Sequence, residues 1–239
     1  LTNPFTNGYP VGSLESPLAA HLQGRFGPGA AANHHRHAVA AGENLKTLIQ
    51  NDATALGQTL EQFQYFLSFS YEVFDRYGRF LVFLNRNQPN ANVPAPRPRS
   101  YNERQLEAGR ALPYFIWPNI DPFRDANTIA NAVPRPGTAN TIAEQGDPKR
   151  ARDMVKTARA AQIGVFDPAD TLRFEAFEIR YLGRAELPSR GVIDLSKKDD
   201  VILRPQSYFK IPRPEDRLFV PPEFVPLFAA RGWRLEGFP

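Results

Sequence analysis

The chain has 239 residues, of which 42% are hydrophobic, a formal charge of +4 and no cysteine. That length can bury a sizeable core, either in one large domain or in a smaller domain with an appendage, and the lack of cysteine excludes a disulfide scaffold, a thiolate metal site and a cysteine nucleophile. The mild basic excess permits a nucleic-acid partner, and no apolar run approaches the ~20 residues that cross a bilayer, so no transmembrane segment is expected.

In chain order, residues 1–17 are rich in Gly, Pro, Asn and Ser and read as an irregular arm. Gly27-Pro28 opens a helix with proline in its first turn, and the Ala-rich run after it continues through Leu45 to Ile49. His21, His34, His35 and His37 fall in this region. His34 and His37 share one helical face, where imidazoles can share a metal, whereas a polar run on an Ala-rich helix is ordinarily its solvated side. Asn51 to Thr59 reads as a connection.

Phe66, Leu67, Phe69, Tyr71, Val73 and Phe74 form one β-prone run and Phe80-Leu81-Val82-Phe83-Leu84 another, with a polar glycine turn between them. Residues 63–84 are therefore expected to form a β-hairpin. Gly78 can take the positive φ such a turn needs, which holds Asp75, Arg76 and Arg79 at a strand end. There the planar fork of Arg79 suits a phosphate; equally, Asp75 and Arg79 can pair across an ordinary turn.

Residues 88–99 carry four prolines and read as an extended exposed loop. A short helix near Tyr101 to Ala108 is closed by Gly109, and Tyr114 to Asn119 reads as a short apolar strand. Residues 124–147 are polar with Pro and Gly and read as a mobile loop. A basic amphipathic helix runs from Pro148 through Met154 and Val155 to Ala161, ending at Ile163-Gly164-Val165-Phe166. Beyond it, residues 174–182, 191–195 and 201–203 read as short strands and residues 222–230 as a small final helix, expected to pack on the first part. Among the rings, Tyr77, Tyr101 and Tyr114 are candidates for stacking on bases.

Two segments carry a family resemblance. Phe74-Asp75-Arg76-Tyr77-Gly78-Arg79-Phe80, followed by Tyr101-Asn102-Glu103-Arg104-Gln105-Leu106-Glu107-Ala108-Gly109-Arg110-Ala111, resembles the staphylococcal-nuclease-like (thermonuclease) family, and the likeness spans roughly residues 15–166. It implies an α+β fold: a five-stranded oligonucleotide-binding-type β-barrel with helices over residues 1–171, and a small αβ appendage over residues 172–239. The implied chemistry is Ca²⁺-dependent hydrolysis of DNA or RNA. Arg79 would hold the phosphate, Glu15 in Leu14-Glu15-Ser16-Pro17-Leu18 would be a metal carboxylate, and Arg76, Tyr77 and Tyr114 would contact the substrate.

The chain departs from the family pattern in places that matter. Leu18 stands where the family has its general base. The family's first three strands, with another metal aspartate and a first arginine, have no counterpart in the 14 uncharged residues before Glu15. Those strands are expected from a segment not present here, from another subunit or from the C-terminal part. The chain starts at Leu1, so an upstream segment, and with it secretion or surface exposure after processing, is expected. Arg25 is a candidate for the first arginine. A permuted order, with Asp199 and Asp200 entering one strand and Arg217 to Glu223 echoing the active-site strand, competes with a plain extension.

Two functions remain open on the sequence. One is a nucleic-acid-cleaving enzyme with Arg79 and Glu15 as catalytic residues; the other is a non-catalytic nuclease-like module, a structural or protein-interaction subunit of a larger assembly. Leu18 favours the second and the intact Asp75-to-Arg79 turn the first.

Overall fold

The computed structural model describes residues 4–5, 13–75, 78–119 and 128–238. The chain is mixed α+β. Helix α1 (Ser16–Gln23) starts with Pro17 in its first turn and buries Leu18 and Leu22. Gly29, at φ 81°, turns the chain into α2 (Ala30–Ala55). This helix runs past Ile49 and takes in much of the expected connection. Its last turn is anchored by tertiary contacts: Ala53 is buried, and Asp52 accepts from Tyr101 Oη at 2.7 Å, Arg104 Nη1 at 2.6 Å and Arg86 Nη1 at 3.3 Å.

The expected hairpin is present. Strands β1 (Tyr65–Phe74) and β2 (Phe80–Arg86) pair antiparallel, Tyr65 opposite Arg86 and Phe69 opposite Val82, with an irregularity between Phe69 and Phe74. Helix α3 (Tyr101–Glu107) opens on a Ser100–Glu103 capping box, which satisfies backbone donors at its start. Its Asn102 docks on β2, accepting from the Leu84 N–H at 2.9 Å and donating to the Val82 carbonyl at 3.2 Å. Glu72 of β1 exchanges hydrogen bonds with Asn119, its N–H donating at 2.9 Å and its carboxylate accepting at 3.1 Å, while Phe66, Phe69, Phe74 and Phe80 are each about half exposed.

The second sheet draws strands from both sides of residue 171. Its members are β3 (Phe115–Ile116), β4 (Gly191–Asp194), β5 (Val201–Leu203), β6 (Arg217–Val220) and β7 (Arg234–Glu236). They lie in the order β3-β6-β4-β5-β7; β3 with β6 and β5 with β7 are parallel, and the other pairs are antiparallel. Side chains alternate across it, as the strand period of two requires. Ile193, Leu218 and Val220 face a core with Trp117, Met154, Phe228 and Trp233. Val192 and Phe219 face a second core with Leu18, Leu22, Phe177 and Tyr208. The first core is covered by α4 (Ile129–Ala132), α5 (Ala139–Glu144), α6 (Gly146–Ala160) and, after α7 (Ala176–Leu182), by α8 (Val225–Ala230). The second is covered by α1 and α7.

Two expectations are corrected, and a third, the barrel, is not seen. Among the described residues the strands do not close a barrel: β1 and β2 pair only with each other, and the larger sheet ends openly in β3 and β7. The described part of the expected loop over 124–147 carries α4 and α5, with Val133 and Ala143 in the core and the Pro134 carbonyl accepting from Trp233 Nε1 at 2.8 Å. Most of residues 174–182 form α7, where a strand was expected. A Glu175–Glu178 capping box starts it, and Phe177, Tyr181 and Leu182 recur at helical spacing on its buried side.

The ends of α3 and α6 meet backbone to backbone. Gly109 and Gly164 both sit at φ 61°, the Val165 N–H donates to the Gly109 carbonyl at 2.8 Å, and a Cβ on Gly164 would fall 1.9 Å from that carbonyl oxygen. Only glycine fits there.

Candidate functional site

The turn after β1 is built on Asp75. Its carbonyl accepts from the Gly78 N–H at 2.9 Å, and its carboxylate accepts from the Arg79 N–H at 3.0 Å and from Arg79 Nε at 2.7 Å. Gly78 takes φ 75°, the conformation the turn demands. The Arg79 guanidinium therefore has both a carboxylate partner and an outward face; its side chain is 64% exposed. The arginine's hydrogen bond holds the Asp75 carboxyl below its ordinary range. Arg76 and Tyr77 lie outside the described residues.

Tyr114, just before β3, is fixed from below. Its ring stacks on Phe177 of α7 at 5.0 Å and lies 4.6 Å from Phe219 of β6. Its hydroxyl accepts from Arg190 Nη1 at 3.0 Å. The guanidinium carbons of Arg180 and Arg190 each lie 5.7 Å from the ring centroid, within cation–π range. Arg180 sits one turn beyond Phe177 on α7, and Arg190 immediately precedes β4, so helix and sheet aim both at the same ring.

Arg180 is also where the hairpin and the sheet meet electrically. Partial burial lowers its pKa, and the neighbouring charges of Arg79 and Arg190 lower it further, against the opposing effects of Tyr114 and Asp75. An arginine remains protonated through such a shift. Two guanidinium groups thus flank one tyrosine, and the Asp75–Arg79 pair of the turn lies within electrostatic reach of one of them, Arg180. The arrangement can bind an anion and offers a ring beside it. Arg79 and Tyr114, both expected at the site, each have Arg180 as a neighbour; Arg180 and Arg190 were not foreseen, because only tertiary packing of α7 and β4 brings them to Tyr114.

The remaining expected residues lie elsewhere. Glu15 is the N-cap of α1; its N–H donates to Gln206 Oε1 at 2.8 Å and its carboxylate pairs with Arg204. Leu18 is fully buried in the second core. Arg25 is held bidentate by Glu178 at 3.1 and 3.0 Å and meets His21 Nε2 at 2.6 Å. Burial, with the charges of Arg25 and Arg217, pushes the His21 pKa down to about 4. His37 bonds the Asp170 carbonyl at 2.6 Å, and His35 is exposed. Tyr101 is core. Arg217 is buried, pairing with Glu175 at 2.5 Å, while Asp199 and Glu223 are exposed and Asp200 accepts from the Gly137 N–H at 2.5 Å.

The residues expected to carry Ca²⁺ do not assemble a donor set in this structure. Glu15 is engaged by Arg204, Leu18 offers no oxygen, and no three His, Asp or Glu side chains among the described residues converge on a point that could hold a metal ion. Among the described residues no helix is long and apolar enough to cross a membrane. Comparison with protein families, curated proteins and solved structures finds no match to this chain.

Proposed function

We propose that this chain binds the phosphate backbone of DNA or RNA through Arg180 and Arg190 at Tyr114 together with Arg79 of the hairpin turn, as a nuclease-like module that does not hydrolyse on its own. The observation that carries the reading is the convergence of Arg180 and Arg190 on the Tyr114 ring, with Arg79 of the hairpin turn coupled by charge to Arg180. Guanidinium forks match phosphate geometry, and a tyrosine face held by stacking from below gives a base a platform of any sequence. On this reading the hairpin is the retained part of an oligonucleotide-binding-type barrel whose other strands would come from another segment or subunit. The absence of a third strand on the hairpin among the described residues supports that.

Hydrolysis needs an activated water and a charge that polarises phosphorus, besides cations for the equatorial oxygens. The arginine cluster supplies the last of these alone. Asp75 is engaged by Arg79, and the position of the family's base is a buried leucine. The intact turn favours the hydrolytic alternative, with Ca²⁺ and Glu15, so the experiment separates the two.

Fluorescence anisotropy with labelled single-stranded DNA and RNA is expected to show saturable binding. Arg79→Ala and Arg180→Ala should each weaken it about ten-fold or more and reduce the slope of log K against log salt by about 0.7, as for one lost phosphate contact on a single strand. Incubation of the same substrates with Ca²⁺ and with chelator should show weak or no cleavage in either. Robust chelator-sensitive cleavage abolished by Arg79→Ala would overturn the non-hydrolytic reading. It would make Glu15, Asp199, Asp200 and Glu223 the carboxylates to replace next.

A further inference from the structure

A second cationic site lies on the other side of the five-stranded sheet. There α6, the turn after β4 and the residues leading into β6 enclose a cavity of about 340 Å³. Its base is buried Leu195 and the ion pair of Arg152 with Asp216, 2.7 Å apart and both out of solvent. Four of the five Arg152 N–H donors are in use: besides Asp216 it bonds the Glu215 carbonyl at 3.1 Å, the Ala143 carbonyl at 2.7 Å and Glu144 at 3.3 Å. One arginine thereby holds both carboxylates that line the cavity.

The rim has the opposite character. Lys156 stands one turn beyond Arg152 on α6, Lys197 and Lys198 come from the turn after β4, and Arg213 precedes the 3₁₀ turn Pro214–Asp216. Lys197 meets Asp194 at 3.6 Å, and Asp194 in turn shapes the loop by accepting from the Ser196 N–H at 3.0 Å and hydroxyl at 2.6 Å. Lys156, Lys198 and Arg213 are exposed and make no ion pair among the described residues. Three cations from three separate segments thus face one concavity whose acidic groups are already taken. Such like charges repel one another unless an anion sits between them, and a low-dielectric base of Leu195 and a closed ion pair strengthens that attraction.

We propose that this cavity binds a small molecule carrying adjacent phosphates, of the size of pyrophosphate or a nucleoside diphosphate. Three unpaired cations call for more negative charge than a single phosphate brings. A cavity of about 340 Å³ has room for a compact ligand of that size. The site is distinct from the arginine cluster: its Leu195 belongs to the core under α6, whereas Tyr114 packs on the core under α7.

Isothermal titration of the whole chain at physiological salt tests this, with pyrophosphate, ADP and orthophosphate as probes. Saturable binding of pyrophosphate and ADP is expected, with orthophosphate at least ten-fold weaker. Lys198→Ala and Arg213→Ala should each cost about ten- to a hundred-fold, the scale of one charged hydrogen bond. Both positions are exposed, so unchanged thermal unfolding should accompany the loss. Arg79→Ala should leave pyrophosphate binding intact. Equal affinity for ADP and pyrophosphate assigns recognition to the phosphates, and tighter ADP binding adds a contact to the nucleoside; either result supports the site. No saturable heat, insensitivity to both rim substitutions, or loss in Arg79→Ala would overturn it.

Discussion

Arg217 donates to Glu175 at 2.5 Å in a buried site, and the carboxyl nevertheless keeps its proton more tightly than an ordinary glutamate. Burial pushes the Glu175 pKa up to about 7; Arg217 and Arg25 oppose the shift, and the neighbouring Glu178 adds to it. Glu178 is itself fully buried and accepts from Tyr208 Oη at 2.8 Å and from Arg25. The network ties α1, α7 and β6 together through charge as well as packing.

That network predicts two opposed pH dependences. Glu175 binds a proton more tightly folded than unfolded, so its contribution to stability is whole below pH 4.5 and is lost as pH rises to about 7. His21 is the reverse: its folded pKa is depressed to about 4, so its contribution is present above pH 6.5 and lost as pH falls through 4. Between about pH 4.5 and 6.5 the two slopes oppose each other. Urea unfolding of Glu175→Gln across that range should therefore show stability rising with pH more steeply than in the wild type. Parallel curves would mean that Glu175 titrates normally.

Removing the carboxylate of the hairpin turn should act on ligand binding with the opposite sign to removing its arginine. Asp75→Asn keeps an oxygen for the Arg79 N–H but takes away the charge that competes with a phosphate. Single-stranded DNA binding is expected to tighten a few-fold and its salt dependence to steepen. If binding weakens as it does in Arg79→Ala, Asp75 acts by shaping the turn and not by competing.

Leu18 marks the limit of the catalytic resemblance. It is fully buried among Leu14, Leu22 and Phe177, so Leu18→Ala should cost about 2–5 kcal/mol in denaturant unfolding. Leu18→Glu, the residue type that the proposed nuclease likeness would put there, places an unpaired carboxylate in an apolar core. It should unfold the domain or destabilise it more than the alanine does. A folded Leu18→Glu variant that gains Ca²⁺-dependent cleavage would show that this position opens to the substrate.

The hairpin should govern self-association. Phe66 is 54% exposed and Phe80 57%, on a two-stranded sheet with no third strand among the described residues, a combination that invites edge pairing. Sedimentation velocity should show concentration-dependent association that Phe66→Lys reduces, with little change in melting temperature because the ring is not core. A wild-type chain that stays monomeric at high concentration would contradict this.

Local chemistry made several elements legible and long-range packing hid others. The hairpin could be read because Phe80 to Leu84 and the run before Asp75 flank a glycine that only a turn needs. The helix before Gly109 could be read from its cap. Residues 174–182 misled because Phe, Ile and Tyr are β-prone, whereas the reciprocal Glu175–Glu178 cap and the buried Phe177, Tyr181 and Leu182 decide for helix. Of the site, Arg79 and Tyr114 were visible as residue types beside a turn and a strand. Arg180 and Arg190 carry no local signal, since their position depends on β4 lying beside β6 and on α7 packing under Tyr114.

The pairing of β3 with β6 has a consequence in time. Phe115 meets Leu218, and the Glu15 N–H meets a side chain 191 residues later in the chain. At about 5–20 residues per second of synthesis, α1 waits roughly 10–40 s for that partner. Throughout that interval the hairpin and α3 can assemble around Asp52, while Leu18, Leu22 and Tyr114 lack the Phe177, Tyr208 and Phe219 of their core. Arg79 thus stands in place well before Arg180 and Arg190 arrive, and a nascent chain completes the proposed anion-binding cluster only when its final quarter has left the ribosome.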